Sequence, residues 1–318
     1  MLTVPAALPR RTAVPVHEPR RDDCPWCGSR RLRTLLRSPD LTGRGPGTFV
    51  VDACRDCAHV FQNPRLTPEG LATFRLDRPR AGARRRHRAT ARALRRILPE
   101  PESWLDVGTG HGHFPERARE LLPYTAFDGV DPTDRAAEAL AAERVEEAYR
   151  GPLTAPEITT RLRARYDVVS MLHHLPGTHD PRAELRAALT VLRPGGLLFL
   201  ELPDPDSAFA ALLGRRWLPY DQPRHLHLIP LPNLRAELEH LGCTILVADR
   251  AAAHIPDDLT AALTSSLMPL YRRHRALRRT TAPLLAATIL LDHALAPVLR
   301  RTHFSNAYRV IARKPGRS

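Results

Sequence analysis

The stretch "LDVGTGHG" at residues 105–112 carries glycine at every second position, as Gly108, Gly110 and Gly112. Glycine permits positive φ and lets a backbone approach a ligand closely, and the start of a following helix presents N–H groups. The pattern therefore predicts a cofactor-binding turn between a strand and a helix. Its spacing differs from the G-x-G-x-x-G fingerprint of dinucleotide-binding turns, because His113 stands where the third glycine would fall.

An acidic residue, Asp131, ends the next predicted strand, "AFDGVD", about 20 residues beyond the glycines. A carboxylate in that place can accept hydrogen bonds from both hydroxyls of a ribose. Together the two features predict an adenosine-bearing cofactor. The alternative interpretation is a glycine turn that only joins a strand to a helix.

Four of the five cysteines form two close pairs, Cys24-x2-Cys27 and Cys54-x2-Cys57, with 26 residues between the pairs. Two such turns deliver four thiolates, which predicts a closed tetrahedral site with zinc as the metal. Four thiolates leave no open coordination position, so we expect a structural role. The alternative is unpaired or redox-active cysteines. The fifth cysteine, Cys243, is predicted to be a small core residue.

The elements that position these residues alternate along the chain. Short apolar strands are predicted at "SWLDVG", "AFDGVD", "YDVVSML" and "LLFLEL", with helices between them. A weak strand near Val145 to Tyr149 is the third in chain order, which makes "YDVVSML" the fourth. This alternation predicts right-handed crossovers and a parallel sheet covered on both faces. Two later strands, "CTILVAD" and "SNAYRVIARK", are separated by a helical, apolar segment over residues 257–301.

Several motifs follow the glycine turn in a fixed order. They are "GVDPT" (129–133), "YDVVSMLHHLPG" (166–177), "LRPGGLLFLELPDPDS" (192–207) and "WLPYDQPRHLHLIPLPNLRAELEHLG" (217–242). From about residue 84 to 249 the chain resembles the class I S-adenosylmethionine-dependent methyltransferases. It is most similar to a bacterial subgroup that methylates small molecules and lipids and is related to ubiquinone-pathway enzymes. The resemblance implies an α/β, Rossmann-like methyltransferase sheet.

The resemblance also implies a role for each matching residue. The glycines would pack against the methionine part of S-adenosylmethionine, Asp106 would reach its amino group through water, and Asp131 would hold the ribose. Residues 151–153 would border the adenine together with Pro132, and residues 171–172 would line the sulfonium site. An acid that often binds the adenine amine is not evident after the third strand. The implied cofactor-binding set is Asp106, Gly108, Thr109, Gly110, Gly112, Asp131, Pro132, Leu153, Met171 and Leu172.

We expect three parts in the chain. Residues 1–21, rich in proline and arginine, are predicted to be disordered. Residues 22–66 are predicted to form a zinc ribbon, a unit too small to build a stable core without metal. Residues 67–318 are predicted to form the methyltransferase domain, with a helical cap at about 251–305 inserted before the last strand.

Two pairs of histidines are candidates for proton transfer to and from a methyl acceptor. His173 and His174 follow the fourth strand, and His225 and His227 lie in "DQPRHLHLI". Histidine suits this task near neutral pH. We predict His225 as the catalytic base, with Asp221 orienting it, and His174 as the second candidate. Alternatively, these histidines shape the pocket by hydrogen bonding. Trp217 and Tyr220 are predicted either to wall the acceptor pocket or to belong to the core.

The chain has a net charge of +14, from 48 basic and 34 acidic residues, and its only lysine is Lys314. Such arginine bias is typical of a GC-rich coding sequence, but it also fits attraction to nucleic acid or an acidic membrane. An RNA methyltransferase that uses the ribbon and the arginines is therefore the alternative function. Against it, "MLHHLPG" lacks the Asn/Asp-Pro-Pro-aromatic pattern of many base-amino methyltransferases. The predicted function is methyl transfer to oxygen or carbon of a small-molecule, lipid or secondary-metabolite acceptor.

The helical segment before the last strand is predicted to act as a lid or cap. Its apolar stripes and the basic "YRRHRALRR" (271–279) fit peripheral contact with lipid, or else a helical pair that covers the core. No secretory signal is visible, and the apolar run from Pro283 to Leu291 is about half a membrane span. We therefore expect a cytoplasmic protein without a transmembrane segment.

Overall fold

The structure is a computed structural model that describes residues 16–40, 47–74, 83–274 and 277–316. Its strands are β1 (Leu32–Pro39), β2 (Thr48–Cys54), β3 (Val60–Gln62), β4 (Ser103–Val107), β5 (Ala126–Asp131), β6 (Ala148–Arg150), β7 (Tyr166–Leu172), β8 (Leu192–Pro203), β9 (His227–Leu228), β10 (Thr244–Asp249) and β11 (Ala307–Arg313). Its helices are α1 (Pro68–Thr73), α2 (Ala83–Arg95), α3 (His113–Arg119), α4 (Arg135–Ala141), α5 (Pro156–Arg161), α6 (Pro181–Val191), α7 (Ala208–Leu213), α8 (Leu231–His240), α9 (Asp258–Arg273), α10 (Leu277–Thr280) and α11 (Ala282–Leu299).

Within the described residues, the larger sheet has the strand order β10-β11-β8-β7-β4-β5-β6. Strands β4 to β8 are parallel to their neighbours, whereas β11 runs antiparallel to both β8 and β10. Because parallel strands end at the same edge, the turns after β4, β5 and β7 lie side by side. The predicted Rossmann-like sheet is confirmed.

The buried faces of these strands are continuous apolar runs, as expected for a sheet covered on both sides. Trp104, Phe127 and Phe199 are fully buried between the sheet and the helix pair α2–α3. Helix α2 is also tied to the sheet by a polar contact, since Thr90 Oγ1 donates to Glu201 at 2.9 Å. Arg309 donates to the same carboxylate oxygen, which leaves this buried glutamate charge paired.

A second, antiparallel sheet contains β1, β2, β3 and β9. The first three strands come from the predicted zinc ribbon, but β9 comes from the segment that carries His227. The sheet thus crosses the boundary predicted at residue 66, and the ribbon shares its hydrogen bonding with the rest of the chain.

Residues 16–21 differ from the predicted disorder. His17 forms a β-bridge with Leu66, and the backbone N–H of Glu18 donates to the carbonyl of Arg65 at 2.9 Å. Arg20 forms an ion pair with the buried Asp52. These three contacts order the segment despite its proline and arginine content, whereas residues 1–15 lie outside the described residues.

The predicted helical cap consists of α9, α10 and α11. Its two long helices are joined by Asp292, a buried carboxylate on α11 that accepts from the backbone N–H groups of Leu259 and Thr260 in the first turn of α9. Acceptors at a helix start satisfy N–H groups that lack intrahelical partners.

Within the part of the chain that the structure describes, α11 meets the length and hydropathy expected of a helix that could cross a membrane. Only 6% of its residues are buried, and its exposed side chains include Leu284, Ile289, Leu290, Leu291, Leu295 and Val298. This apolar surface is longer than the run from Pro283 to Leu291 on which the sequence-based expectation rested.

Candidate cofactor turn, acceptor pocket and thiol cluster

The glycine turn follows β4 directly and leads into α3. Gly108, Gly110 and Gly112 all have left-handed φ angles, of 74°, 53° and 72°. At Gly108 a Cβ atom would lie 2.5 Å from Nδ1 of His174, so glycine is required there both for its φ and for the close approach. The backbone N–H of Gly108 donates to the carbonyl of Val130 at 2.8 Å, which anchors the turn to β5.

Asp131 closes the turn from the end of β5. Its Oδ2 accepts from the backbone N–H of Gly110 at 3.1 Å, and its Oδ1 accepts from the backbone N–H and hydroxyl of Thr133 at 2.8 and 2.5 Å. An ionised carboxylate offers about four acceptor positions, so this group can take a further donor. The residue is 8% exposed and lies at the carboxyl edge of the sheet.

Asp106 lies beneath the turn, at the end of β4. Its Oδ1 accepts from Ser170 Oγ at 2.6 Å, and Ser170 in turn accepts from Trp104 Nε1 at 2.8 Å. Burial raises the pKa of the Asp106 carboxyl to about 6, against the opposing effect of the Ser170 hydroxyl. A cationic group brought close to this carboxylate would favour its charged form.

The remaining cofactor candidates differ in exposure. Leu153 and Met171 are fully buried in the core, so they support the site from beneath, whereas Pro132 and Leu172 are half-buried at its edge. Thr109 is buried, and its methyl group packs against Gly129 of β5.

A small, partly open cavity lies at the carboxyl ends of β7 and β8. Ile255 and Asp257, which precede α9, form the part of the wall that the cap contributes. Ala307, the first residue of β11, and the preceding Asn306 also line the cavity. The lining residues are His173, Pro203, Leu218, Pro219, His225, Ile255, Asp257, Asn306 and Ala307. The wall is mostly apolar with a few polar groups.

His225 enters this cavity with a defined tautomer. Its Nδ1 lies 2.7 Å from the carbonyl oxygen of Pro219. A carbonyl only accepts, so Nδ1 carries the proton and Nε2 is the acceptor nitrogen of the neutral ring. Asp221 Oδ2 lies 4.0 Å from Nε2 and is also paired with Arg224, while the Pro219 carbonyl is the closer contact of the ring.

The two histidines after β7 face different neighbours. His173, at a left-handed φ of 56°, lines the cavity. The ring of His174 lies against Gly108, and its Nε2 is 3.5 Å from Oε2 of the buried Glu184. Two consecutive residues therefore contact the cavity and the glycine turn, respectively.

Three other candidate residues lie in the core. His227 is buried against His59, with 3.1 Å between His227 Nδ1 and His59 Nε2, and burial lowers its pKa to about 3. Trp217 is fully buried, and its Nε1 donates to Asp258 at 3.0 Å. Tyr220 packs edge-on against Trp217, so both aromatics belong to the core behind the cavity.

The four cysteines of the predicted ribbon converge on one point. All four Sγ atoms lie within 4.8 Å of one another, with 3.7 Å between Cys24 and Cys57 and 3.6 Å between Cys27 and Cys54. Tetrahedral zinc at about 2.3 Å from each sulfur requires S–S separations of about 3.8 Å. Backbone N–H groups of Trp26 and Asp56 point at Cys24 and Cys54 Sγ, both at 3.4 Å. The cluster therefore fits the metal predicted from its spacing.

Without a bound cation, the thiols of the cluster differ in pKa. Burial raises the pKa of Cys24 to about 11. Burial also acts to raise the pKa of Cys54, but N–H donors from Cys57 and Asp56 outweigh it and leave this pKa lowered to about 7. A bound divalent cation would favour four thiolates together.

Sequence reasoning missed several residues that build the cavity. Asn306 holds the cap loop through its side chain, which donates to the carbonyl of Ile255 at 2.7 Å and accepts from the Ile255 N–H at 2.9 Å. Gln62 and Gln222 join the ribbon to the His225 segment at 2.8 Å. No local motif marks these residues, because each acts on a partner at least 50 positions away.

Comparison with known proteins gives one family and a group of relatives. Residues 81–248 match the sequence profile of a family described as "Methyltransferase domain". The ubiquinone biosynthesis O-methyltransferase of Aeromonas salmonicida is 31% identical over 156 residues, which are 47% of this chain and 65% of that protein. That of Bordetella avium is 28% identical over 146 residues, 43% of this chain and 60% of that protein.

The chain thus covers less than two thirds of the length of these relatives. A solved S-adenosylmethionine-dependent methyltransferase from Archaeoglobus fulgidus covers 72% of this chain and 94% of its own, at 17% identity and a TM-score of 0.45.

Proposed function

The chain belongs to the methyltransferase domain family, whose profile spans residues 81–248, and we propose that it transfers a methyl group from S-adenosylmethionine to a hydroxyl oxygen of a small molecule. The family supports the methyl donor, and the relatives named ubiquinone biosynthesis O-methyltransferases favour oxygen as the acceptor atom.

One observation carries this proposal beyond family membership. His173 lines the cavity while the adjacent His174 packs on Gly108, so the cavity and the cofactor turn are neighbours. A methyl group held over the turn and a hydroxyl held in the cavity would then approach each other, and alignment of this kind supplies much of the rate of a displacement reaction.

S-adenosylmethionine supplies an activated methyl group when it is bound. Asp131 and the glycine turn would hold its ribose and methionine parts, and Asp106 would face its amino group. His225 would take the proton of the acceptor hydroxyl at Nε2, since its Nδ1–H is committed to the Pro219 carbonyl. His174 would stay beside the cofactor, with its Nε2 3.5 Å from Oε2 of Glu184.

For the four cysteines we propose zinc in a structural role. The Sγ separations near 3.7 Å support a tetrahedral site. Because all four positions are taken by thiolates, the metal would stabilise the ribbon and would not contact the acceptor.

The test uses methyl-labelled S-adenosylmethionine with catechol as a phenolic probe. We expect label in catechol, and we expect His225→Ala to lower kcat about 100-fold or more while the Kd for S-adenosylmethionine stays within twofold. His240→Ala, which removes a histidine at the end of α8, is the matched control and should leave kcat unchanged. Label in RNA and none in catechol would contradict the proposal, and unchanged turnover in His225→Ala would dismiss His225 as the base.

A further inference from the structure

We propose that the four-cysteine ribbon positions His225, the base proposed for the methyl acceptor. Gln62 is the residue through which the ribbon acts on the segment that carries His225. This inference rests on the proposed function, because it concerns the same histidine. It assigns to the ribbon a role in the acceptor half of the site, beyond stabilising the fold.

The ribbon and the His225 segment share one sheet. Val60 pairs with Leu228 and Phe61 pairs with His227 in the antiparallel ladder of β3 and β9. The backbone N–H of Gln62 continues this ladder by donating to the carbonyl of Leu226 at 3.0 Å. The strand that follows the second cysteine pair therefore fixes the backbone on the C-terminal side of His225.

Gln62 also reaches the N-terminal side of His225 through its side chain. Its Nε2 donates to Gln222 Oε1 at 2.8 Å and to the carbonyl of Pro223 at 3.2 Å, and its Oε1 accepts from the N–H of Leu66 at 2.7 Å. The side chain is 2% exposed. A buried amide with both its donor and its acceptor ends engaged fixes a single arrangement, because losing one partner leaves a polar group unpaired.

Gln222 carries the contact onward to the base. Its Nε2 donates to the carbonyls of Tyr220 and His225, both at 2.9 Å. These two carbonyls flank residues 221–224, and the carbonyl of Pro219, one residue before Tyr220, accepts the His225 Nδ1–H. Gln222 thus holds closed the turn that sets the His225 tautomer, and Gln62 holds Gln222.

The cysteine turns themselves are fastened to the rest of the chain. The side chain of Asn233, on α8, donates to the carbonyl of Cys57 at 2.8 Å. Arg182 stacks on Trp26 with 4.4 Å between its guanidinium carbon and the ring centre, and Trp26 stacks in turn on His59. These contacts hold the ribbon just before β3, and Gln62 holds it at the end of β3. A change in the position of the ribbon would therefore move the His225 segment.

The glycine turn has anchoring contacts of its own. It is anchored to β5 through Val130 and Asp131. A change at Gln62 should therefore alter the acceptor step and leave cofactor binding in place.

The experiment compares Gln62→Met and Gln62→Glu with Ser29→Ala, which removes an exposed hydrogen bond to Asp56 on the far side of the ribbon. The readouts are bound zinc, the Kd for S-adenosylmethionine, kcat with catechol, and ¹⁵N-histidine spectra in which the His225 signals are identified by their loss in His225→Ala. In the wild type and in Ser29→Ala we expect the Nδ1–H tautomer of His225.

In both Gln62 variants we expect mixed tautomers of His225, a 10- to 100-fold lower kcat and a shifted pH profile of kcat/KM, with zinc content and cofactor Kd within twofold of wild type. Unchanged His225 signals would overturn the proposal. Loss of S-adenosylmethionine binding in both variants would also overturn it, since Gln62 would then support the whole fold. If the wild type bound S-adenosylmethionine but did not methylate catechol, the proposed acceptor would be wrong and the spectra would still decide this inference.

Discussion

Burial and the positive charge of a bound cofactor have opposite effects on the pKa of Asp106. In the free protein, burial raises its pKa to about 6. If its carboxylate faces the cofactor's ammonium group, that charge lowers the pKa again in the complex, so binding releases a proton between the two pKa values.

We therefore expect the affinity for S-adenosylmethionine to fall as the pH drops below about 6, by up to about tenfold per pH unit. Calorimetry at pH 5, 6 and 7 measures this slope. Asp106→Asn should bind more weakly at pH 7 and show a flat profile over the same range. An equal slope in Asp106→Asn would assign the proton to another group.

A second prediction concerns Gly108, where φ is +74° and an added Cβ would lie 2.5 Å from His174 Nδ1. Gly108→Ala should cost about 1–2 kcal/mol of unfolding free energy from the backbone alone and should weaken cofactor binding by displacing His174. Combining it with His174→Ala should recover the steric part of the lost affinity. Urea unfolding and calorimetry measure the two effects, and additive losses in the double variant would contradict the close approach.

Some of the candidate residues can be recognised from local sequence alone. Gly108, Asp131 and the four cysteines each form part of a short motif, so their spacing carried the prediction. The partners of His225 were different: its Nδ1 is held by the Pro219 backbone carbonyl, and backbone carbonyls leave no signature in residue types. Gln62 and Gln222 are 160 positions apart, and only the folded chain brings them together.

Among the elements, α11 departs most from the sequence-based expectation. It was predicted as part of a cap with one apolar stripe, yet it exposes apolar side chains on most of its surface, with Leu290 72% exposed. Basic residues flank it: Arg279 precedes it, and Arg300 and Arg301 follow it, all exposed. An apolar helix flanked by cations fits the surface of an anionic membrane.

We propose that α11 binds an anionic lipid surface, which is one of the two interpretations that the sequence leaves open. Sedimentation with phosphatidylglycerol vesicles should retain the protein, whereas phosphatidylcholine vesicles and high salt should release it. Leu290→Asp and Val298→Asp should reduce binding about tenfold, while Tyr124→Asp, at an exposed apolar site outside the cap, should not. Equal binding of all variants, or none by the wild type, would refute a membrane contact through α11.

The strand order and the crossovers were predictable because alternating apolar strands and helices allow few topologies. The pairing of β3 with β9 was not, since β9 contains two residues and lacks an alternating pattern of its own. This short strand is nevertheless the link between the cysteine ribbon and the His225 segment.

At the scale of the whole molecule, we propose that the zinc expected at the four cysteines is needed for stability. We expect about one zinc per chain and a lower unfolding temperature on chelation, because a unit of this size lacks enough core without its metal. Cys54→Ser should lose the metal, whereas Cys243→Ser, at a buried thiol outside the cluster, should retain it. Metal analysis with thermal unfolding measures both, and a folded wild type with no metal would contradict the ribbon.

The central claim is that the glycine turn and Asp131 bind S-adenosylmethionine. Titration calorimetry of the purified protein tests it most directly, with NAD as the competing adenosine ligand and Asp131→Ala as the matched variant. The account predicts one S-adenosylmethionine per chain, binding to NAD at least 100-fold weaker, and loss of at least tenfold in affinity in Asp131→Ala. Binding of NAD in preference to S-adenosylmethionine, or no binding of S-adenosylmethionine, would contradict it.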